Sequence, residues 1–241
     1  MLTTMNEASM LESTQLFRQI KRREKENRED QVVSLPQVKR LSYDLSSVCE
    51  KRFSPDMDFV LRKISQSQLA TLLQESTSAF LYRNDLDEPH NKQEPRVSLY
   101  CCLTNVEEIP DGAYYYKRAD HTLHQIDQND HRLRLQYGMS AANVNLFQVP
   151  LCFHVAGDKD HLIADLGYRG YRIQQMEAGM LVQRLLLTAS ALEMGGHPLL
   201  GFDANSCDDM YNFNSHGQTS LIQIPVGHYR PRPWLKGKLH S

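Results

Sequence analysis

The sequence predicts one α/β (α+β) domain preceded by an N-terminal arm. Three observations point there. Runs of β-forming residues recur at 96–106, 113–126, 149–155 and 220–227, each bounded by turn residues. Two segments have helical periodicity, 65–83 ahead of these runs and 171–194 between the last two. A length of 241 residues is enough to bury a core without disulfides or metals.

The arm comes first. After Met10, residues 11–30 carry apolar side chains only at Leu11, Leu16, Phe17 and Ile20, and then charges and amides alone. Arg22 with Glu26 and Glu24 with Arg28 sit four apart, the spacing of weak ion pairs along an exposed helical face. A solvated helix or frayed arm is the plain expectation, and docking of a partner is the alternative. Residues 32–49, with Pro36, read as a connector.

From Ser65 a capping serine precedes Leu69, Leu72 and Leu73 at helical spacing, giving a short helix with one buried face. Residues 84–95 form a polar loop. The stretch 96–106 is a strand, Pro110 to Gly112 a turn, and residues 113–126 a hairpin-like strand pair. Residues 149–155 make another apolar strand. The longest helix signal, 171–194, is apolar around most of its circumference, which places it in the middle of a domain or at a subunit interface. Gly195 and Gly196 are expected to stop it and Pro198 to keep it stopped. A last strand, 220–227, leads into a basic tail spaced by prolines. The expected division is an arm and connector over 1–48, a folded domain over 49–232 and a tail over 233–241.

Composition excludes several functions. Twenty-seven Lys and Arg against 29 Asp and Glu leave a formal charge of −2, without the basic field a dedicated nucleic-acid binder needs. Five cysteines, irregularly spaced and without a C-x-x-C pair, suit a reducing, cytoplasmic interior better than a secreted disulfide scaffold. The apolar stretch 176–194 is interrupted by Glu177, Gln183, Arg184 and Glu193, so no membrane span is expected, and the polar N-terminus does not read as a signal peptide.

No metal site is predicted, because His121 and His124 fall on a strand where a spacing of three means opposite faces. Cys101 and Cys102 likewise point to opposite sides, with one expected in the core. No nucleophile elbow, phosphate loop or dinucleotide fingerprint occurs. Arginine placement is the remaining signal. Gly167 to Arg172 reads GYRGYR just ahead of the long helix, where guanidinium forks and helix N–H groups favour an anion. Arg52, Ser54, Arg230 and Arg232 are further donors suited to phosphate, although surface ion pairs are what such residues more often make.

Five elements occur in order between Leu151 and Arg230: Arg169 to Arg172 as RGYR; Glu177, Ala178, Gly179 and Gln183; Gly195 and Gly196; Gly201, Phe202 and Asp203; and Val226 with Gly227. This pattern resembles the flavin-dependent dehydrogenases of the nitroreductase superfamily, in particular the SagB-type branch that oxidises azolines in ribosomal peptides. More weakly, residues 97–126 look like that family's strand, turn and hairpin, and Arg52 and Ser54 like its Arg-x-Ser phosphate contact. Two departures stand out. Pro89, His90, Asn91 and Lys92 occupy the place of a Pro-Ser-x-Gly loop, and Asp165 and Leu166 the place of a Lys-Tyr pair that handles protons.

The resemblance implies a central, mostly antiparallel sheet flanked by helices, and a two-fold dimer about the long helix. It implies FMN as cofactor, held by Arg52, Ser54, Arg169, Arg172, Gln183, Gly195, Gly196, Arg230 and Arg232. Proton removal from an azoline needs a base, for which the candidates are Asp165, Tyr168 and His90. The implied partners are a modified peptide substrate and a cyclodehydratase or sister subunit, in a homodimer or heterodimer, with no nucleic acid and no membrane. A non-catalytic subunit serving as scaffold beside an active one is the alternative.

Overall fold

The computed structural model describes residues 31–78, 96–161 and 163–231. Its centre is a seven-stranded sheet, antiparallel at every pairing, with strand order β1-β4-β3-β2-β5-β7-β6. The strands are β1 (Val32–Ser34), β2 (Ser98–Leu103), β3 (Gly112–Lys117), β4 (Thr122–Asp127), β5 (Leu151–Asp158), β6 (Gly195–Gly196) and β7 (Gln218–Gly227). The helices are α1 (Leu45–Lys51), α2 (Gln66–Ser78), α3 (Arg132–Tyr137), α4 (Ile163–Leu166), α5 (Tyr168–Ala191) and α6 (Ala204–Met210).

Both faces of the sheet are covered, so its central strand carries no polar stripe. All six residues of β2 are buried. Because side chains alternate, Leu99, Cys101 and Leu103 join one core with α2 and α5, while Tyr100 and Cys102 join a second with Leu135, Cys207, Tyr211 and Phe213. The sequence places one of the adjacent cysteines in the core; both are there, since each face of the sheet has its own. Burial lifts the Cys102 thiol to about 12, and all the cysteines are free.

α2 starts on a reciprocal cap. Ser65 Oγ accepts the Gln68 N–H at 3.1 Å and Gln68 Oε1 accepts the Ser65 N–H at 3.0 Å. The connector is not wholly irregular: Val32–Ser34 pairs with β4 as an edge strand, and the chain then crosses α2, where Glu75 Oε1 accepts the Leu41 N–H at 2.8 Å.

The long helix differs from expectation at both ends. α5 begins at Tyr168, three residues earlier, so the GYRGYR run lies within its first turns. Gly167, at φ 53° and ψ −142°, makes the break. The helix ends at Ala191, ahead of the glycine pair, with Glu193 in the left-handed region at φ 59° and the Met194 N–H closing onto Ala189 O at 2.8 Å. Gly195 and Gly196 go on to form β6. One face of α5, with Ala178, Leu181, Leu185 and Ala189, packs into the first core; each fully buried leucine there contributes about 1.5–3 kcal/mol.

Candidate functional site

Two regions receive the predicted site residues, and α5 separates them. The first is a corner at the end of β7. Phe53, between Arg52 and Ser54, stacks on Tyr229 with ring centroids 5.2 Å apart. The Val60 N–H donates to His228 O and the Arg230 N–H to Asp58 O, both at 2.9 Å. These bonds zip the 52–60 segment against 228–230, the two segments that carry Arg52, Ser54 and Arg230, with Arg52 and Arg230 exposed and Ser54 half-buried.

Gly195 and Gly196 complete this corner, pairing with Gly227 and Val226. A Cβ on Gly195 would lie 2.4 Å from Pro55 Cγ, and one on Gly196 2.6 Å from Leu186 Cδ2. Packing against the rigid Pro55 ring therefore demands glycine at 195, while at 196 the movable end of Leu186 would have to give way. The chain approaches so closely that the 52–55 loop is locked onto β6.

The second region is the N-terminal end of α5, which follows β5 through α4. Asp165 and Tyr168 are exposed there, Arg169 is half-buried and Arg172 exposed. Leu166, beside Asp165, is buried. At about 1.5 Å per residue the 24-residue helix is about 35 Å long. Its far end abuts the corner, where Ser190 Oγ donates to Val48 O at 3.2 Å. Within one chain, Arg169 and Arg172 are thus separated from Arg52, Ser54 and Arg230 by most of the helix length. Between the ends runs an exposed stripe at helical spacing, Tyr168, Arg172, Met176, Met180 and Gln183, with Met176 69% exposed. Arg232 and His90 lie outside the described residues, as do residues 10–30 of the arm.

Sequence reasoning missed a buried polar network in the second core. His154, fully buried on β5, has Nδ1 2.8 Å from Tyr211 Oη and Nε2 3.1 Å from Gln223 Oε1. Cys207 Sγ lies 3.5 Å from His154 Nε2, and Cys102 Sγ 3.4 Å from Tyr211 Oη. Burial lowers His154 to about 4, against a smaller opposing pull from Gln223, and holds the Tyr211 phenol far above its ordinary value. The signal available in the sequence was a histidine interrupting an otherwise apolar strand. Glu177, quoted above only as a family-like residue, is an anchor: its carboxylate accepts the Arg96 N–H at 2.7 Å and pairs with Arg96 Nη1 at 2.8 Å.

The histidines considered for a metal have other roles. His121 precedes β4 in a left-handed turn at φ 53°, with Nδ1 2.8 Å from Tyr116 Oη, and His124 Nε2 lies 3.2 Å from Thr122 Oγ1. Among the described residues no group of three or more His, Cys, Asp or Glu is placed to hold a metal, and no helix is long and apolar enough to cross a membrane.

A model of the nitroreductase family matches residues 58–228. No curated protein matches the chain by sequence. Among solved structures, a protein from Anabaena variabilis named as a nitroreductase superposes with a TM-score of 0.68 at 22% identity, over 83% of this chain and 42% of that one. The chain therefore spans less than half the length of that relative. A protein from Ralstonia eutropha, also named as a nitroreductase, gives 0.63 at 16% identity over 90% of this chain and 98% of the other. The E. coli microcin synthetase McbBCD complex, with truncated pro-MccB17 bound, gives 0.61 at 18% identity over 75% and 70%. At these identities the likeness is one of fold.

Proposed function

The chain belongs to the nitroreductase family of flavin-dependent oxidoreductases, and on that premise we propose that it is an FMN-dependent dehydrogenase that oxidises azoline rings to azoles in a ribosomally made peptide. The observation carrying the flavin part is the corner at the end of β7. Two exposed arginines and a half-buried serine lie on the segments that meet there, beside a Pro55 ring packed too closely on Gly195 for any side chain at that position. A terminal phosphate suits such a donor set. The peptide part rests on the SagB-like order of motifs and on the likeness of fold to a microcin synthetase complex that has a peptide bound.

FMN, when bound, supplies the two-electron acceptor, and the protein supplies placement and a base. Arg52, Ser54 and Arg230 hold the phosphate end. The base comes from the other end of α5, where Asp165 and Tyr168 are exposed to an incoming ring. Because about 35 Å of helix lies between the two ends, one chain does not gather the whole set. A second copy, or a sister subunit, packed along the stripe of Met176, Met180 and Gln183 would bring its own Arg169, Arg172, Asp165 and Tyr168 toward the first copy's corner. The stripe suits that role, since adaptable apolar methionines stand where a solvated helix would carry charges.

Two results are expected. Arg52→Ala weakens FMN binding about tenfold or more through loss of one charge-assisted phosphate contact, as read by titration of flavin fluorescence. Met176→Glu places like charges across the seam and yields a monomer by light scattering that no longer retains flavin. A purified chain that stays colourless after incubation with FMN refutes the proposal.

Leu166 favours a second reading. It is buried where the azoline dehydrogenases carry half of a proton-handling pair, and a leucine cannot accept a proton. The chain would then be a non-catalytic partner in a peptide-modification complex. A yellow protein that oxidises an azoline peptide unaided rules this out.

A further inference from the structure

The corner that gathers Arg52, Ser54 and Arg230 also contains an acid. Asp56 follows Ser54 by two residues, so their Cα atoms lie within about 7 Å of each other. It is held in the left-handed region at φ 51°, in the same short turn whose Asp58 carbonyl accepts the Arg230 N–H at 2.9 Å. A carboxylate so placed opposes any anion bound by the arginines, at a range where charges near a protein surface still interact.

His197 stands on that carboxylate. Its Nδ1 is 3.0 Å from Asp56 Oδ1, an ion-pair distance without the geometry of a hydrogen bond, with the imidazole 15% exposed and the Asp56 side chain 46% exposed. Backbone bonds fix the main chain that carries the ring: the His197 N–H donates to Pro225 O at 3.0 Å, and the preceding Gly195–Gly196 pair with β7 on one side while Pro55 presses against Gly195 on the other. The packing of β6 against Pro55, for which Gly195 is needed, thus presents His197 to Asp56. Other charged groups of the corner are Asp58, Arg62, Glu193 and His228, of which His228 is lowered by burial and then by Arg62.

We propose that His197 is a positioning residue for an anionic cofactor: standing at ion-pair distance from Asp56, its protonated form cancels that charge, so that the guanidinium groups of Arg52 and Arg230 remain available to a phosphate. The inference rests on the FMN reading above. It assigns His197 no contact with the cofactor, and its whole effect passes through Asp56.

The test uses the full-length protein titrated with FMN and with riboflavin, which lacks the phosphate. The wild type is expected to bind FMN more tightly than riboflavin. His197→Gln is expected to weaken FMN binding about tenfold and leave riboflavin binding unchanged, and the double variant H197Q/D56N to recover most of the loss. If H197Q keeps the wild-type preference for FMN, or weakens both ligands equally, the role of His197 is overturned while the cofactor reading stands. If the wild type binds neither ligand, or does not discriminate between them, the cofactor reading itself fails.

Discussion

Glu177→Ala is expected to destabilise the domain by about 3 kcal/mol, the scale for stripping one partner from a buried ion pair. Glu177 is 1% exposed on α5, and its two oxygens take the Arg96 main-chain N–H at 2.7 Å and guanidinium Nη1 at 2.8 Å. Arg96 stands two residues before β2, the strand buried on both faces, so the pair fastens the entrance of the central strand to the central helix. Alanine takes the paired carboxylate from a guanidinium whose side chain is only 14% exposed. Glu177→Gln keeps an acceptor for the main-chain N–H and should cost about half as much. Urea unfolding with an unchanged m-value is the measurement. A loss below about 1 kcal/mol for the alanine variant would show that the pair does not anchor the strand. In that case the E-A-G-x-x-x-Q resemblance would have to be explained by something other than folding.

What the sequence made legible and what it did not divide along physical lines. The strands around Tyr100, Tyr115 and Val155 and the helix from Gln66 announce themselves through local periodicity, β-propensity and a capping box, none of which depends on distant partners. β1 does not, because three residues acquire strand character only from their register with His124, Leu123 and Thr122. The start of α5 was misplaced because most of the GYRGYR run was set ahead of the helix, while the true punctuation is the backbone of Gly167. Its circumference misled in a similar way. Met176 and Met180 count as apolar in any periodicity, yet they face outward from this chain. The candidate site was legible as residue types and illegible as geometry. Arg52 and Arg230, far apart in sequence, sit on segments that meet because the chain after β7 returns past residues 52–60. Arg169 and Arg172, which belong to the same chemical set, are carried away by the rigid rod that follows them. No pattern of spacing contains that separation; it follows from helix rise and from which end of α5 the sheet holds. Asp56 and His197 were passed over because neither has a neighbour in sequence that gives it meaning.

Acid should unfold this domain through a histidine that no proposed chemistry uses. His154 is fully buried between Tyr211 and Gln223, and burial holds its folded-state value near 4, against an unfolded value of about 6.5. The network fixes the neutral tautomer: Gln223 Oε1 has no proton to give and accepts Nε2–H, leaving Nδ1 to accept from the Tyr211 hydroxyl. Protonating the ring would place a second N–H opposite a phenol whose own ionisation is strongly suppressed. Below pH 6.5 the unfolded chain therefore takes up a proton that the folded chain refuses, and stability falls as pH falls. The loss accumulates between about pH 6.5 and 4 and reaches about 3 kcal/mol from His154 alone, at about 1.4 kcal/mol per unit of pH. His121, His131, His161 and His228, also lowered chiefly by burial, act in the same direction. Urea midpoints of the wild type and of His154→Gln at pH 7, 5.5 and 4.5 separate this contribution from the common background of carboxylate titration. The variant starts less stable at pH 7, because the ring's packing and its bond to Tyr211 are lost, and the gap between the two proteins should narrow as the pH is lowered. Parallel lines would mean that the ring titrates alike in both states, and hence that water or a shift of Tyr211 reaches Nδ1. The same experiment bears on the fold itself, because a neutral buried histidine joining β5, β7 and the segment after α6 is a polar staple whose worth depends on staying uncharged.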